Sequence, residues 1–104
     1  MTIPKNESME AINLEDLRRR IDQLDQEIIS LLAQRFQLTE TVGHYKAQHH
    51  LEAQDKARES QQFKKIIRLS EQAGLNAEYS VQVYRRIIDI VIMRHQELQR
   101  AAGD

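Results

Sequence analysis

Alternating steps of four and three residues from Leu17 land on Ile21, Leu24, Ile28, Leu31, Arg35, Leu38, Val42 and Tyr45, with mostly polar residues between them. That spacing predicts one long amphipathic helix over 17–46. Asn13 stands where an N-cap would open it, and Glu15 and Asp16 fall in the first turn, where carboxylates complement the helix dipole. Gly43 costs a helix only about 1 kcal/mol relative to alanine, so the helix is expected to run to about Gln48. A residue that small would also let another helix approach closely. The periodicity lapses over 49–54, and Asp55 then opens a short second helix carrying Phe63, Ile66, Ile67 and Leu69. Ala73-Gly74 ends it with glycine in the place of a left-handed cap, and Asn76 caps a third helix whose stripe is Tyr84, Ile88, Val91, His95 and Leu98. The expected fold is all-α, with three helices per chain: one long, one short and one medium.

Each long stripe carries a polar intruder. Arg35 cannot lose its proton, so on a buried seam it calls for an acidic partner. Lys46 lies eleven residues further on, which at about 100° per residue is roughly 20° around the helix. The two cations therefore share a face and can serve one pocket. Arg18 lies seventeen residues before Arg35, roughly 100° away and about 25 Å along the axis. If all three cations handle one ligand, a second copy of the helix running antiparallel would have to supply Arg18. The plain alternative is that Arg18 belongs to the solvated basic run 18–20. His95 likewise reads as a core or interface histidine with one hydrogen bond satisfied, or as a polar group built to face the same interior site as Arg35.

Length and composition narrow the class. A chain of 104 residues with one proline and three glycines suits one small domain, expected over 13–101 between a flexible lead-in at 1–12 and a tail at 102–104. Fifteen basic against sixteen acidic side chains leave no global footprint for nucleic acid or for an anionic membrane. There is no cysteine, no apolar stretch of secretory-signal length near the start and no run long enough to span a bilayer, so a soluble cytoplasmic protein is expected. His44, His49 and His50 are spaced by five and one, which does not set two imidazoles on one helical face, and neither a metal nor a cofactor is expected. Ser60 has no histidine at a useful helical offset, which argues against covalent catalysis. What remains is a dry, mostly cationic pocket between helices, suited to a small dicarboxylate and to chemistry without a nucleophile.

These features resemble the all-helical class of chorismate mutases. The residues that carry the resemblance are LRRRIDQLDQEIISLLAQRF with Arg18 and Arg35, the VGHYK ending in Lys46, the D-x-x-R-E run of Asp55, Arg58 and Glu59, and YRRIIDIVIMRH on the last helix. No single piece is specific; their order and spacing together are. The resemblance implies an intertwined homodimer whose long helices pack antiparallel and whose two sites each borrow Arg18 from the partner chain. It further implies that Arg18 and Arg35 bind the two carboxylates of chorismate and that Lys46 and His95 donate to its ether oxygen. Arg58, Glu59 and the Asp55 region would hold the ring hydroxyl. Val91 departs from the family, whose well-known members have a small hydroxyl residue there, and His95 stands where glutamine or glutamate is usual.

The implied reaction is the Claisen rearrangement of chorismate to prephenate, which breaks the ether C–O bond as a C–C bond forms and needs no nucleophile. Catalysis would come from holding a reactive conformer and from donors that bind the ether oxygen more strongly in the transition state. An isochorismate pyruvate lyase or an amino-chorismate mutase would use nearly the same cations, and the D-x-x-R-E run favours the mutase over the lyase. A non-enzymatic helical dimer, whose seam charges only fix register, is the alternative from another class.

Overall fold

The computed structural model describes residues 12–103, and all of its regular structure is helical: α1 (Leu14–Gln48), α2 (Lys56–Ala73) and α3 (Ala77–Gly103). The expected all-α class and the three helix lengths agree with this. No strand occurs among the described residues, and no helix among them is long and apolar enough to cross a membrane. The expected lead-in, except for residue 12, and residue 104 of the expected tail lie outside the described residues. Residues 102 and 103 belong to α3 rather than to a tail. Contacts divide the chain after Arg35, so the first turns of α1 form one unit and the end of α1 joins α2 and α3 in another.

In the first unit, α1 begins as its side chains dictate. The Asn13 side-chain oxygen accepts from the Glu15 and Asp16 amides at 2.9 and 3.3 Å, satisfying two of the donors a helix start leaves open. Asp16 also pairs with Arg20 at 2.8 Å, one turn on. Ile21, Leu24, Ile28 and Leu31 are between 46 and 63 % exposed, so this apolar stripe is uncovered in the single chain.

In the second unit, α1 closes at a left-handed residue. His50 takes φ 56, and the Leu51 amide donates back to the Lys46 carbonyl at 2.9 Å. Histidine tolerates this region better than β-branched residues do. The Gln99 side chain donates to the Leu51 carbonyl and ties the connection to α3. Asp55 caps α2 by accepting from the Arg58 amide at 3.0 Å. Gly74 ends α2 at φ 72, a conformation that costs glycine no steric strain, and the Leu75 amide returns to the Ser70 carbonyl at 2.8 Å. Asn76 then caps α3 through the Glu78 amide at 2.9 Å.

Ile66, Ile88 and Leu98 are buried, with Ser70 and Ser80 among the buried polar residues. The two hydroxyls are hydrogen-bonded across α2 and α3 at 2.6 Å, with the Ile66 and Asn76 carbonyls at 2.6 and 3.5 Å as further acceptors. A buried hydroxyl is costly without a partner, whereas removing both members together is nearly neutral. Ser70→Ala and Ser80→Ala should therefore each cost about 1 kcal/mol, and the double substitution less than their sum. Urea unfolding of the four proteins at one concentration checks this.

Candidate active site

The site is built outward from Lys46, in the last turn of α1. Its side chain is half-buried, and the ammonium donates to the Ala53 carbonyl at 3.1 Å while lying 3.5 Å from His95 Nδ1. Ala53 is buried in the connection that follows His50, so the turn at the end of α1 delivers the carbonyl back over its own last lysine.

His95 is 2 % exposed. Its Nε2 lies 2.7 Å from the Thr39 carbonyl oxygen, and a carbonyl can only accept, so Nε2 carries the proton. Nδ1 is then a lone pair facing the Lys46 ammonium. Burial, aided by the charge of Lys46, holds the His95 pKa below the ordinary histidine value, although the Thr39 bond and the Glu40 carboxylate pull the other way. The ring is neutral at neutral pH, and its one N–H is engaged by Thr39.

The ring fits because α1 has no side chain at position 43. A Cβ built on Gly43 would lie 2.6 Å from His95 Cδ2, 2.9 Å from its Nε2 and 2.7 Å from Leu98 Cδ1. The close approach expected of this glycine is thus made by the histidine ring itself.

Glu59, in the first turn of α2, is held from two sides. Arg85 Nη2 donates to one carboxylate oxygen at 2.6 Å and Gln54 Nε2 to the other at 2.9 Å. The Arg85 bond, then the Gln54 bond, hold the Glu59 pKa below the usual carboxylate range. Arg85 is itself bonded to Asp89 at 3.1 Å and lies over the Phe63 ring, 5.2 Å from its centre. Sequence reasoning did not single out Arg85 or Gln54. The only local signal was the four-residue offset between Arg85 and Asp89 on one helix.

Lys46 and Asp55 line one cavity of about 540 Å³, together with Gln54 and Lys56. Val91 and His95 line another of about 310 Å³, with Thr39, Glu40 and Arg94. The structure thus brings Lys46 next to His95, Asp55 into the Lys46 cavity, and Glu59 against Gln54. Asp55 serves as the cap of α2, and the Arg58 side chain is exposed. Arg18 and Arg35 belong to the first unit, where Arg18 is exposed and pairs with Glu15 at 3.4 Å and Arg35 is half-buried. His49 stacks on Tyr45 with ring centres 4.0 Å apart.

Gly43→Ala separates packing from propensity. On an open helix face it would stabilise by about 1 kcal/mol, whereas here the methyl group collides with His95 and should destabilise by about 1–3 kcal/mol. Denaturant unfolding gives the sign.

Residues 17–96 match the family described as chorismate mutase type II. The chain is 32 % identical over 91 residues to a bifunctional chorismate mutase/prephenate dehydratase of Aquifex aeolicus, covering 85 % of this chain and 25 % of that protein. It is 40 % identical over 75 residues to the T-protein of Haemophilus influenzae, covering 72 % of this chain and 20 % of that protein. To the bifunctional chorismate mutase/prephenate dehydratase of Escherichia coli K12 it is 32 % identical over 82 residues, covering 79 % of this chain and 21 % of that protein. The chain therefore spans a quarter or less of the length of these relatives. The family match takes in most of α1, all of α2 and most of α3, including Lys46, Glu59 and His95, and the chain belongs to the chorismate mutase type II family.

Proposed function

We propose that the chain converts chorismate to prephenate. The observation that carries this reading is the Lys46 ammonium, half-buried at a cavity in a chain of this family and restrained from two sides by the Ala53 carbonyl and His95 Nδ1. An ammonium has three N–H donors. Two can serve these acceptors, which leaves the third for the ether oxygen of the substrate. That oxygen gains negative charge as its C–O bond breaks, so a donor fixed beside it stabilises the transition state more than the ground state.

Glu59 keeps its charge at neutral pH, and each of its oxygens retains a lone pair beyond the bonds from Arg85 and Gln54. It can accept the ring hydroxyl, with Asp55 and Arg58 nearby in sequence. The resemblance assigns the two carboxylates to Arg35 and to Arg18 of the partner subunit, and it assigns Val91 to the carboxylate-binding region without a hydroxyl to offer. Positioning of this kind supplies about 7–11 kcal/mol of the barrier in well-oriented intramolecular reactions. A single preorganised donor adds about 3–4 kcal/mol.

The proposal includes a homodimer. Ile21, Leu24, Ile28, Leu31, Leu38, Val42 and Tyr45 follow one stripe of α1 and are all exposed in the single chain. A second copy of the same stripe would remove this surface from water.

Two measurements test the reading. Purified protein should form prephenate from chorismate, identified as product; release of pyruvate from isochorismate without turnover of chorismate would replace the mutase by the lyase. Arg18→Ala and Arg35→Ala chains should each be nearly inactive and should regain part of the activity when unfolded and refolded together, because mixed dimers hold one site with both arginines. Activity unchanged by co-refolding would exclude the shared site.

A further inference from the structure

The resemblance implies a donor role for His95, and the partners of its two ring nitrogens point to another. We propose that His95 is a positioning residue that never touches the substrate. Anchored by its Nε2–H to the Thr39 carbonyl in the space left by Gly43, it presents an unprotonated Nδ1 that holds the Lys46 ammonium in place. This rests on the reading of Lys46 as the ether-oxygen donor.

The geometry leaves little choice of roles. A neutral imidazole has one N–H and one lone pair, and both face protein groups here: the Thr39 carbonyl at 2.7 Å and the Lys46 ammonium at 3.5 Å. Rotating the ring to aim an N–H at a ligand would forfeit the Thr39 bond of a side chain that is 2 % exposed. The ring is further confined by α1, since its Cδ2 lies against the place where residue 43 would carry a side chain. His95 therefore acts on the reaction through Lys46.

The arrangement is also proton-sensitive. Protonating Nδ1 would replace an acceptor by a cation 3.5 Å from the ammonium, so the contact would turn from attraction to repulsion. The charged groups around the ring do not cancel this. On α1 they are Lys46 and Glu40; Glu40 is already held by Arg94 at 2.7 Å and has His44 at 3.6 Å. On α3 they are Arg94 and Glu97, paired with each other at 3.1 Å. The connection between α1 and α2 offers the uncharged Ala53 carbonyl. Arg94 keeps the Glu40 pKa below the usual carboxylate range, so Glu40 stays ionised while His95 titrates. With burial and Lys46 both lowering its pKa, His95 should titrate below about 6.5. The latch is closed at neutral pH and opens in acid.

The test is nuclear magnetic resonance of the His95 ring nitrogens in the full chain, titrated from about pH 8 to about pH 4.5, with kcat/KM for chorismate measured over the same range. At neutral pH the ring should carry its proton on Nε2. Its midpoint should rise in Lys46→Met, where the neighbouring cation is gone. In the unaltered chain kcat/KM should fall as His95 gains its proton, mainly through kcat. In His95→Asn, whose side-chain oxygen stands near the place of Nδ1 and cannot titrate, that acidic limb should vanish. A proton on Nδ1 at neutral pH, or a midpoint unmoved by Lys46→Met, would overturn the proposal. So would activity that holds or rises as His95 protonates, since a direct donor gains from a second N–H. If either variant does not fold, the tautomer and the pH profile of the unaltered chain decide. No conversion of chorismate at any pH, with the Nε2 tautomer and the midpoint shift in place, would overturn the chorismate reading and uphold the latch.

Discussion

The contact on which the second unit depends is a neutral histidine ring pressed against a helix backbone. His95 comes close enough to α1 to exclude a β-carbon at Gly43, and its hydrogen bond to the Thr39 carbonyl makes that approach specific. The carbonyl belongs to the backbone of a regular helix, so it cannot rotate away as a side chain could. An imidazole with one nitrogen bound there offers the other at a fixed place, and Lys46 lies against it. Lysine is a long, mobile side chain whose ordering costs entropy; two fixed acceptors confine its ammonium before any ligand arrives. Preorganisation of this kind is what a reaction without a nucleophile requires of a protein.

A second restraint works by the opposite sign of charge. Glu59 is held by Arg85 from α3 and by Gln54 from the connection before α2, so a carboxylate with little exposure keeps its charge. Its lowered pKa means that the folded state holds this proton less readily than the unfolded chain does. The associated stability is present above the usual carboxylate range and declines as acid protonates the group. For His95 the lowered pKa gives a cost that appears only in acid, as pH falls below its ordinary value toward the folded one. Both groups therefore favour neutral over acidic conditions, for different reasons.

The helices were legible because their ends are written in local side-chain chemistry. Asn13, Asp55 and Asn76 each cap the helix that follows, and Gly74 takes the left-handed conformation that its place after Ala73 suggested. Helix α1 ends at Gln48, where it was expected to end, but the turn that closes it was less legible. His50 adopts a left-handed φ that its residue type tolerates without signalling, and the sequence showed there only a loss of period. The α3 stripe picked out His95, and the face that Lys46 shares with Arg35 picked out the lysine; the structure sets His95 and Lys46 3.5 Å apart. What a one-dimensional pattern does not contain is the partner of each ring nitrogen. Thr39 contributes a backbone carbonyl, which every residue has, and Arg85 reaches Glu59 across 26 positions of sequence. The resemblance that implies a donor role for His95 likewise does not contain the 2.7 Å contact of its Nε2 with the Thr39 carbonyl.

In the proposed reaction the Lys46 ammonium, held by His95 and the Ala53 carbonyl, is the group that meets the breaking bond. A crystal structure of the chain with a stable bicyclic ether dicarboxylate shaped like the rearranging substrate tests it directly. The ether oxygen should lie within hydrogen-bonding distance of Lys46 Nζ, with His95 Nε2 still on the Thr39 carbonyl. A His95 ring turned to donate to the ether oxygen, or a Lys46 directed away from it, would rule out these roles for the two residues.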